Sequence, residues 1–310
     1  MKFNKPKFWD DKVGLIAILL YPASLFVLLL IFLKRKIIKT KKLDISVICV
    51  GNIYLGGTGK TPTSLFLANE LNKLGRKSVI IRKFYKNHID EHRLIKENFT
   101  DLIVDKNRIN GLKNAINNNF NTAILDDGLQ DYKVKKNLSI VCFNENQLVG
   151  NGLIIPSGPL RERLGCLKNV DIILINGEKN KNFEEKLLNI NKNLEFFYSY
   201  YKPINLEKFR NRKLLAIAGI GNPENFFKLI EENGLMIEKK LIYPDHYKFS
   251  KKEFKKIIDE AENKNYKIIM TEKDYYKIKD FKFDKIDYLK ISLEVNKKEE
   301  FINKVNKLND

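Results

Sequence analysis

Cysteine, histidine and tryptophan are scarce in this chain. Its 310 residues include three cysteines, three histidines and one tryptophan. The cysteines, Cys49, Cys142 and Cys166, show no C-x-x-C spacing, which argues against a zinc site and against a disulfide framework. With so few histidines, a structural metal cluster is not expected either. The sequence therefore predicts a reducing compartment.

Acidic residues are too few to balance the basic ones. There are 38 Asp and Glu against 57 Lys and Arg, for a formal net charge of +19. A charge of this size is typical of proteins that bind nucleic acids or anionic membranes. The lysines are spread along the whole chain, so no nucleic-acid partner is predicted. The charge favours an acidic membrane surface or a phosphorylated substrate.

One long apolar run lies near the N-terminus. Residues 13–33 read VGLIAILLYPASLFVLLLIFL and carry no charge, and as a helix they would reach about 30 Å, the thickness of the hydrocarbon core. A secretory signal is the main alternative, but no small-residue cleavage site follows the run. Pro22 leaves open a kinked helix, or one that enters only one leaflet.

The flanks of this run predict its orientation. Basic residues are denser after the run than before it, with Lys34, Arg35 and Lys36 followed closely by further lysines. Because basic flanks stay on the cytoplasmic side, we expect an inner-membrane protein whose domains after the run lie on the cytoplasmic face.

From Leu43 onward, short apolar runs alternate with helical patterns. The runs are rich in Val, Ile and Leu and show little period-two alternation, which is typical of strands buried on both faces of a parallel sheet. They lie at 45–50, 78–81, 102–104, 122–125, 138–143 and 171–175. The fold class predicted is α/β: a P-loop NTPase-like parallel-sheet domain and a smaller second α/β domain, with an N-terminal membrane helix.

A second series of strands and helices begins near Lys213 and ends in a closing helix. Between the two series, the aromatic segment FFYSYYKP predicts a strand pair or a linker. We therefore place a membrane anchor at 1–40, the P-loop NTPase-like domain at 41–200 and the second α/β domain at 201–310.

A glycine-rich turn, GNIYLGGTGKTP, lies between the first predicted strand and the next helix. In such a turn, backbone N–H groups and the helix dipole face an anion. Lys60 would reach the β- and γ-phosphates of ATP, and the Thr61 hydroxyl would bind Mg²⁺. The strict pattern is not met, since Tyr54 takes the first glycine position, and Gly-Gly turns also precede helices that bind nothing. The setting favours nucleotide binding by the loop residues Gly56, Gly57, Thr58, Gly59, Lys60 and Thr61.

Two carboxylates, Asp126 and Asp127, follow the predicted strand at 122–125 in the sequence DDGLQ. Ligands of a parallel α/β sheet bind at the carboxyl ends of its strands, and paired carboxylates suit Mg²⁺. An Asp-Asp-Gly sequence by itself is more often a turn. The GKT sequence upstream in the same domain favours a metal site here.

Several longer motifs follow one another in a set order. They are VGNIYLGGTGKTP, ILDDGLQ, GNGLIIPSGPLRE, AIAGIGNPENFF, YPDHY and MTEKD. This combination resembles the tetraacyldisaccharide 4′-kinase family of the lipid A pathway, over nearly the whole chain. The resemblance implies an ATP- and Mg²⁺-dependent kinase that phosphorylates the 4′-hydroxyl of a tetraacyl-disaccharide 1-phosphate. A lipid disaccharide and the membrane are then the expected partners, without an obligate protein partner.

The resemblance also implies catalytic roles for residues outside the phosphate loop. The family carries an acidic pair between its second and third strands, which corresponds here to Asp90 and Glu91. Its Asp is the base that acts on the sugar hydroxyl, assisted by a His of the second domain, here His246; the pair is chemically reasonable. Taken alone, Asp90 looks like an ordinary loop residue, and an isolated His246 is more often a surface or capping residue.

Further residues match family positions near the substrate. Arg161 and Glu162 of PLRE do so, and Arg108 is expected to face a phosphate. If they formed an exposed ion pair with each other, Arg161 and Glu162 would contribute little to the stability of the fold. The chain departs from the family at residues 82–86, which read RKFYK where the family has Arg-Gly-Tyr-Gly. That departure leaves open an altered acceptor.

Two other functions compete with the lipid kinase. A membrane-surface NTPase switch of the partitioning or targeting type uses a similar GG-x-GKT loop and needs no second substrate pocket. A soluble small-molecule kinase with an unrelated anchor is the third possibility. The PLRE, AGIGNP and PDHY motifs favour the lipid kinase.

Overall fold

A computed structural model describes residues 5–85, 88–245, 247–284 and 286–309 of the chain. These residues form two compact units. The larger unit comprises 5–84, 99–200 and the residues after 292, and the smaller one comprises 85–98 and 201–292. The boundary near residue 200 stays a prediction about domains. Segment 85–98 belongs to the same compact unit as residues 201–292. The closing helix belongs to the same unit as residues 99–200.

The strands carry most of the buried apolar side chains. In chain order they are β1 (Ser46–Gly51), β2 (Ser78–Lys83), β3 (Leu102–Asp105), β4 (Thr122–Asp126), β5 (Leu138–Asn144), β6 (Ile172–Asn176), β7 (Glu195–Pro203), β8 (Leu214–Ala218), β9 (Ile237–Ile242), β10 (Lys267–Thr271), β11 (Ile286–Leu289) and β12 (Ile291–Val295).

The α-helices connect these strands. They are α1 (Leu15–Ile37), α2 (Lys60–Lys73), α3 (Ile89–Asn98), α4 (Arg108–Asn117), α5 (Lys181–Leu188), α6 (Pro223–Glu232), α7 (Lys251–Asn263), α8 (Glu272–Ile278) and α9 (Lys298–Asn309).

The larger unit contains an eight-stranded sheet in the order β12-β7-β6-β5-β1-β4-β2-β3. The pairs from β7 to β3 are parallel, which confirms the predicted mostly parallel α/β fold. β1 lies between β4 and β5, and the chain runs to β2 on one side of β1 and later to β5 on the other. Open α/β sheets bind their ligands at such a reversal of strand order, and the glycine-rich turn follows β1.

The smaller unit contains a four-stranded parallel sheet in the order β11-β10-β8-β9. The buried Asp274 of the MTEKD motif fixes its AGIGNP turn, since its carboxylate accepts hydrogen bonds from the Gly219 N–H at 2.8 Å and the Thr271 hydroxyl at 2.7 Å. Lys277 contacts the same carboxylate at 2.6 Å and the Gly219 carbonyl at 2.8 Å. Two motifs that lie far apart in sequence thus form one structure.

Some local predictions were wrong. The segment around Asp90 is not a loop but a helix, α3, which packs on α8. Its Ile95 is buried in the core, and the polar residues around Ile95 gave no indication of this contact. FFYSYYKP is a single strand, β7, rather than a strand pair or a linker.

Helix α1 lies along the larger unit. Within the residues that the structure describes, it is the one helix long and apolar enough to cross a membrane by length and composition. Ala17 and Ser24 are buried against the unit, whereas most large apolar side chains of the helix are exposed. These include Leu15, Ile16, Ile18, Leu19, Phe26, Phe32 and Ile37.

Candidate active site

The glycine-rich turn leads directly into α2. Gly56, Gly57, Thr58 and Gly59 form the turn, and Lys60 and Thr61 begin the helix. Gly59 has φ +89°, a left-handed conformation that side chains with a Cβ rarely adopt. Its carbonyl accepts hydrogen bonds from the N–H and hydroxyl of Thr63, at 3.0 and 2.9 Å. The N–H groups at the start of α2 are thereby directed towards the turn, as anion binding requires.

The residue that breaks the strict phosphate-loop pattern, Tyr54, belongs to the core. Its ring is fully buried, and its hydroxyl donates to Asp10 at 2.6 Å. The neighbouring Asn52 donates to the carbonyls of Tyr54 and Gly56, at 2.6 and 3.2 Å, and so braces the turn. Within the described ranges, the Asn52 Oδ1 and Thr58 Oγ1 atoms are buried without a hydrogen-bond partner. The turn therefore keeps polar atoms that a bound ligand could satisfy.

Asp126, at the end of β4, is fully buried. Its carboxylate accepts hydrogen bonds from the hydroxyls of Thr61 and Ser64, each at 3.1 Å. It also forms an ion pair with Arg82 from the end of β2. A buried carboxylate is stable only when it is paired and hydrogen-bonded, and these partners meet that need. They also fix the Thr61 hydroxyl beside the turn.

Asp127 lies between two cations. Arg161 Nη1 donates to both its carboxylate oxygens, at 2.9 and 3.1 Å, and Lys60 Nζ lies 3.8 Å from Oδ1. Burial opposes the charged carboxylate, but Lys60 and Arg161 outweigh this and hold the pKa of Asp127 well below its usual range. Burial lowers the pKa of Lys60, and Asp127 offsets this only in part. The carboxylate is thus charged at every physiological pH.

The sharp turn after β4 has two supports. A Cβ on Gly128 would lie 2.7 Å from the Leu125 Cβ, so only glycine fits there without a shift. That Arg108 faces a phosphate stays a prediction, and the structure shows its contacts with this turn. Its Nη2 donates to the carbonyls of Asp126 and Asp127, at 2.9 and 2.7 Å, and so holds the two carboxylates in place.

Asp90 and Glu91 lie in the smaller unit, in the first turn of α3. Asp90 is buried. Glu91 pairs with Lys273 of the MTEKD motif at 2.8 Å, and Lys273 also contacts Asp245 of YPDHY at 2.9 Å. His246, the predicted partner of Asp90, lies outside the described residues. The structure therefore gathers the acidic pair, MTEKD and Asp245 in one cluster.

Glu162 is 2% exposed and lies beside Arg161 in the chain. It accepts a hydrogen bond from the Tyr132 hydroxyl at 2.6 Å and forms an ion pair with Arg35 of α1. It is not half of an exposed pair with Arg161, which turns instead to Asp127. Glu162 thus connects the PLRE motif to the apolar helix.

The oxygen donors of this site suit magnesium. Across the described ranges, which omit residues 1–4, 86–87, 246, 285 and 310, no group of three or more His, Cys, Asp or Glu forms a metal cluster. The Thr61 hydroxyl and the carboxylates of Asp126 and Asp127 are hard oxygen donors, however. Mg²⁺ prefers oxygen and is held by few protein ligands, together with waters and substrate phosphates. The donor set therefore fits Mg²⁺ bound with a nucleotide.

A model of one protein family matches residues 16–309, and its description is tetraacyldisaccharide-1-P 4′-kinase. The chain belongs to this family. The family predicted from the motifs is thereby confirmed.

Relatives and a solved structure agree with this membership. A tetraacyldisaccharide 4′-kinase of Pelagibacter ubique is 40% identical over 100% of this chain and 99% of its own length. One from Francisella philomiragia is 33% identical over 93% of this chain and 98% of its own length. The crystal structure of LpxK from Aquifex aeolicus in complex with ATP has a TM-score of 0.74, with 21% identity, over 96% of this chain and 100% of that one. At that identity it supports the fold.

Sequence reasoning missed three side chains of this kinase-family site. Arg82 and Ser64 reach Asp126, and Arg35 reaches Glu162. A buried strand that ends in Arg82 could have suggested a buried ion pair. Nothing in the sequence around Arg35 separates it from the other basic residues after the apolar run. Its role depends on tertiary structure alone.

Replacing Lys60 with Met should make the stability of the fold less dependent on acid. In the wild type, the charged Asp127 carboxylate stabilises the fold, because its pKa is lower in the folded state than in the unfolded state. This contribution is complete above the unfolded pKa of about 3.9 and is lost as the pH falls below it. Without Lys60 the pKa of Asp127 rises, so less stability is lost over that range. Urea unfolding from about pH 5 to pH 2 measures the difference.

The exposed Lys113 of α4 offers a matched control, since Lys113→Met removes a lysine away from the site. We expect it to keep the wild-type acid dependence. An unchanged acid dependence in Lys60→Met would contradict the pairing of Lys60 with Asp127.

Proposed function

We propose that this chain transfers the γ-phosphoryl group of ATP to the 4′-hydroxyl of a tetraacyl-disaccharide 1-phosphate at the cytoplasmic face of the inner membrane. The main support for the proposal is that the glycine-rich turn leads into residues that contact two carboxylates, whose negative charges are paired with cations. Lys60 and Thr61, at the start of α2, face Asp127 and Asp126 at the end of the adjacent strand β4. Membership of the kinase family supplies the acceptor.

On the donor side, Lys60 and the N–H groups of the turn bind the phosphates of ATP. Arg161 keeps a further donor for an anion, because its buried Nε has no hydrogen-bond partner among the described residues. Thr61, Asp126 and Asp127 would hold Mg²⁺. Asp126 would contribute largely through its hydrogen bond with the Thr61 hydroxyl. When bound, the metal neutralises the negative charge that develops on the transferred group.

On the acceptor side, Asp90 is the base for the sugar hydroxyl and His246 assists it. The burial of Asp90 supports this role, because few waters can then compete with the sugar hydroxyl for its carboxylate. The pairing of Glu91 with Lys273 fixes the first turn of α3 and with it the direction of the Asp90 side chain. Glu91 thus supports the base and does not act on the substrate itself.

Helix α1 attaches the enzyme to the membrane where its lipid substrate resides. Ser24, near the middle of the helix, donates to the Ile154 carbonyl and accepts a hydrogen bond from the Ser157 hydroxyl, both at 2.8 Å. If α1 crossed the bilayer, this polar loop would lie in the hydrocarbon core, which is costly. The helix therefore lies along the membrane with its exposed apolar face in one leaflet, and the basic residues that follow it meet the anionic headgroups.

The NTPase switch remains the second candidate because the glycine-rich turn alone would serve it equally well. The buried acidic cluster around Asp90 and Glu91 favours the kinase, since hydrolysis needs no second set of catalytic groups. A soluble small-molecule kinase is disfavoured by the hydrogen bonds that join α1 to the catalytic unit.

The kinase should lose activity when the phosphate contact is removed. We expect Lys60→Ala to lower transfer of labelled γ-phosphate from ATP to the lipid disaccharide in detergent micelles by about 10²-fold or more. Asp90→Ala should lower it severely, and His246→Ala should slow transfer without abolishing ATP binding. Lys113→Ala is the matched control and should keep wild-type transfer. Normal transfer by Lys60→Ala and Asp90→Ala together would refute the assigned site.

The position of α1 in the membrane is tested by labelling its two ends. Asp11 and Lys36 are exposed, so Asp11→Cys and Lys36→Cys report where the ends lie. We expect a membrane-impermeant thiol reagent to label both variants in inverted inner-membrane vesicles and neither in spheroplasts, above the wild-type background. Labelling of Asp11→Cys from the periplasmic side would instead mean that the helix spans the bilayer.

A further inference from the structure

The loop at residues 150–162, GNGLIIPSGPLRE, is hydrogen-bonded to the residues that precede the glycine-rich turn, which we also call the phosphate turn. The Pro159 carbonyl accepts a hydrogen bond from the Leu55 N–H at 2.8 Å, and the Arg161 N–H donates to the Ile53 carbonyl at 2.7 Å. Leu160 is fully buried between these two contacts. A shift of this loop would therefore be transmitted to the start of the turn.

The same loop is held from its other side by the N-terminal segment and α1. The Trp9 indole N–H donates to the Pro156 carbonyl at 2.9 Å, Ser24 bonds Ile154 and Ser157 as described above, and Arg35 pairs with Glu162. These contacts come from the segment before the helix, from its middle and from its C-terminal end. Loop 150–162 is thus fixed between the apolar helix and the phosphate turn.

The contact at the C-terminal end of α1 involves a buried charge. Glu162 is 2% exposed, and such a carboxylate needs a cation and hydrogen bonds. Arg35 supplies the cation, and its guanidinium also lies 4.7 Å from the centre of the Tyr132 ring. Burial, together with the hydrogen bond to Glu162, raises the pKa of Tyr132, so its hydroxyl remains a donor. The Glu162 position therefore depends on both partners.

Arg161 and Glu162 are consecutive, and their side chains go to different partners. Arg161 reaches Asp127 at 2.9 Å, whereas Glu162 reaches Arg35. We propose that Arg35 is a positioning residue for phosphoryl transfer: by holding Glu162, it fixes the PLRE segment so that Arg161 stays on Asp127. This inference rests on the proposed kinase function. It means that the membrane helix orients the phosphate site as well as anchoring the enzyme.

Two substitutions separate this role from the general charge at the end of α1. Arg35→Gln removes the cation that faces Glu162, and Lys36→Gln removes the charge of its exposed neighbour. The first readout does not depend on activity: the rate at which phenylglyoxal modifies Arg161, followed by mass spectrometry. Arg108, buried at the same turn, is the internal reference for general loosening of the fold.

We expect Arg161 to be modified severalfold faster in Arg35→Gln, with the Arg108 rate unchanged and with wild-type rates in Lys36→Gln. The kcat of lipid phosphorylation should fall about tenfold or more in Arg35→Gln, because a small displacement at a reacting centre is costly. Arg35→Lys should restore part of it. In an Arg161→Gln background, Arg35→Gln should have no further effect on kcat.

An unchanged Arg161 rate in Arg35→Gln would overturn the inference, as would an equal rise at Arg108 or an equal loss of kcat in Lys36→Gln. An Arg35→Gln effect that persists in the Arg161→Gln background would also overturn it. If the wild type transfers no phosphate at all, the proposed function fails, and the modification rates then decide the positioning role by themselves.

Discussion

Two adjacent carboxylates follow one another at the end of β4, and the rest of the site depends on the cations and hydroxyls that compensate them. Asp126 is fully buried and takes Arg82 with two hydroxyls, while Asp127 takes Lys60 and Arg161. Because leaving a buried charge unpaired is costly, β2, α2 and loop 150–162 are all constrained to supply partners. The glycine-rich turn and the oxygen atoms beside it are arranged by that requirement.

Another buried carboxylate extends the arrangement to the apolar helix α1. Glu162 is compensated by Arg35, so α1 is joined to the catalytic unit by an ion pair as well as by the hydrogen bonds of Ser24. A helix used only as a tether would need none of these contacts. Under the proposed membrane attachment, these contacts would fix the height and tilt of the site above the lipid.

The parts of the fold and of the candidate site that depend on a few neighbouring residues were predictable from the sequence. The buried runs gave the parallel strands, and GKT and DDGLQ gave the two sides of the phosphate site, because strand–turn–helix chemistry is encoded within a few residues. Long-range compensation was not predictable: nothing near Arg82, Tyr132 or Arg35 identifies its partner, which lies 44, 30 and 127 positions away. Helix α3 was missed because its single core contact is hidden in a polar sequence.

The central claim is that the two compensated carboxylates serve transfer to a lipid and not hydrolysis. The most direct measurement compares the ADP formed with the phosphate incorporated into a tetraacyl-disaccharide 1-phosphate, with and without that acceptor in the micelles. The account predicts equal amounts of ADP and lipid phosphate, and almost no ADP when the acceptor is omitted. Rapid ADP formation that does not depend on the acceptor, with no phosphorylated lipid, would contradict it.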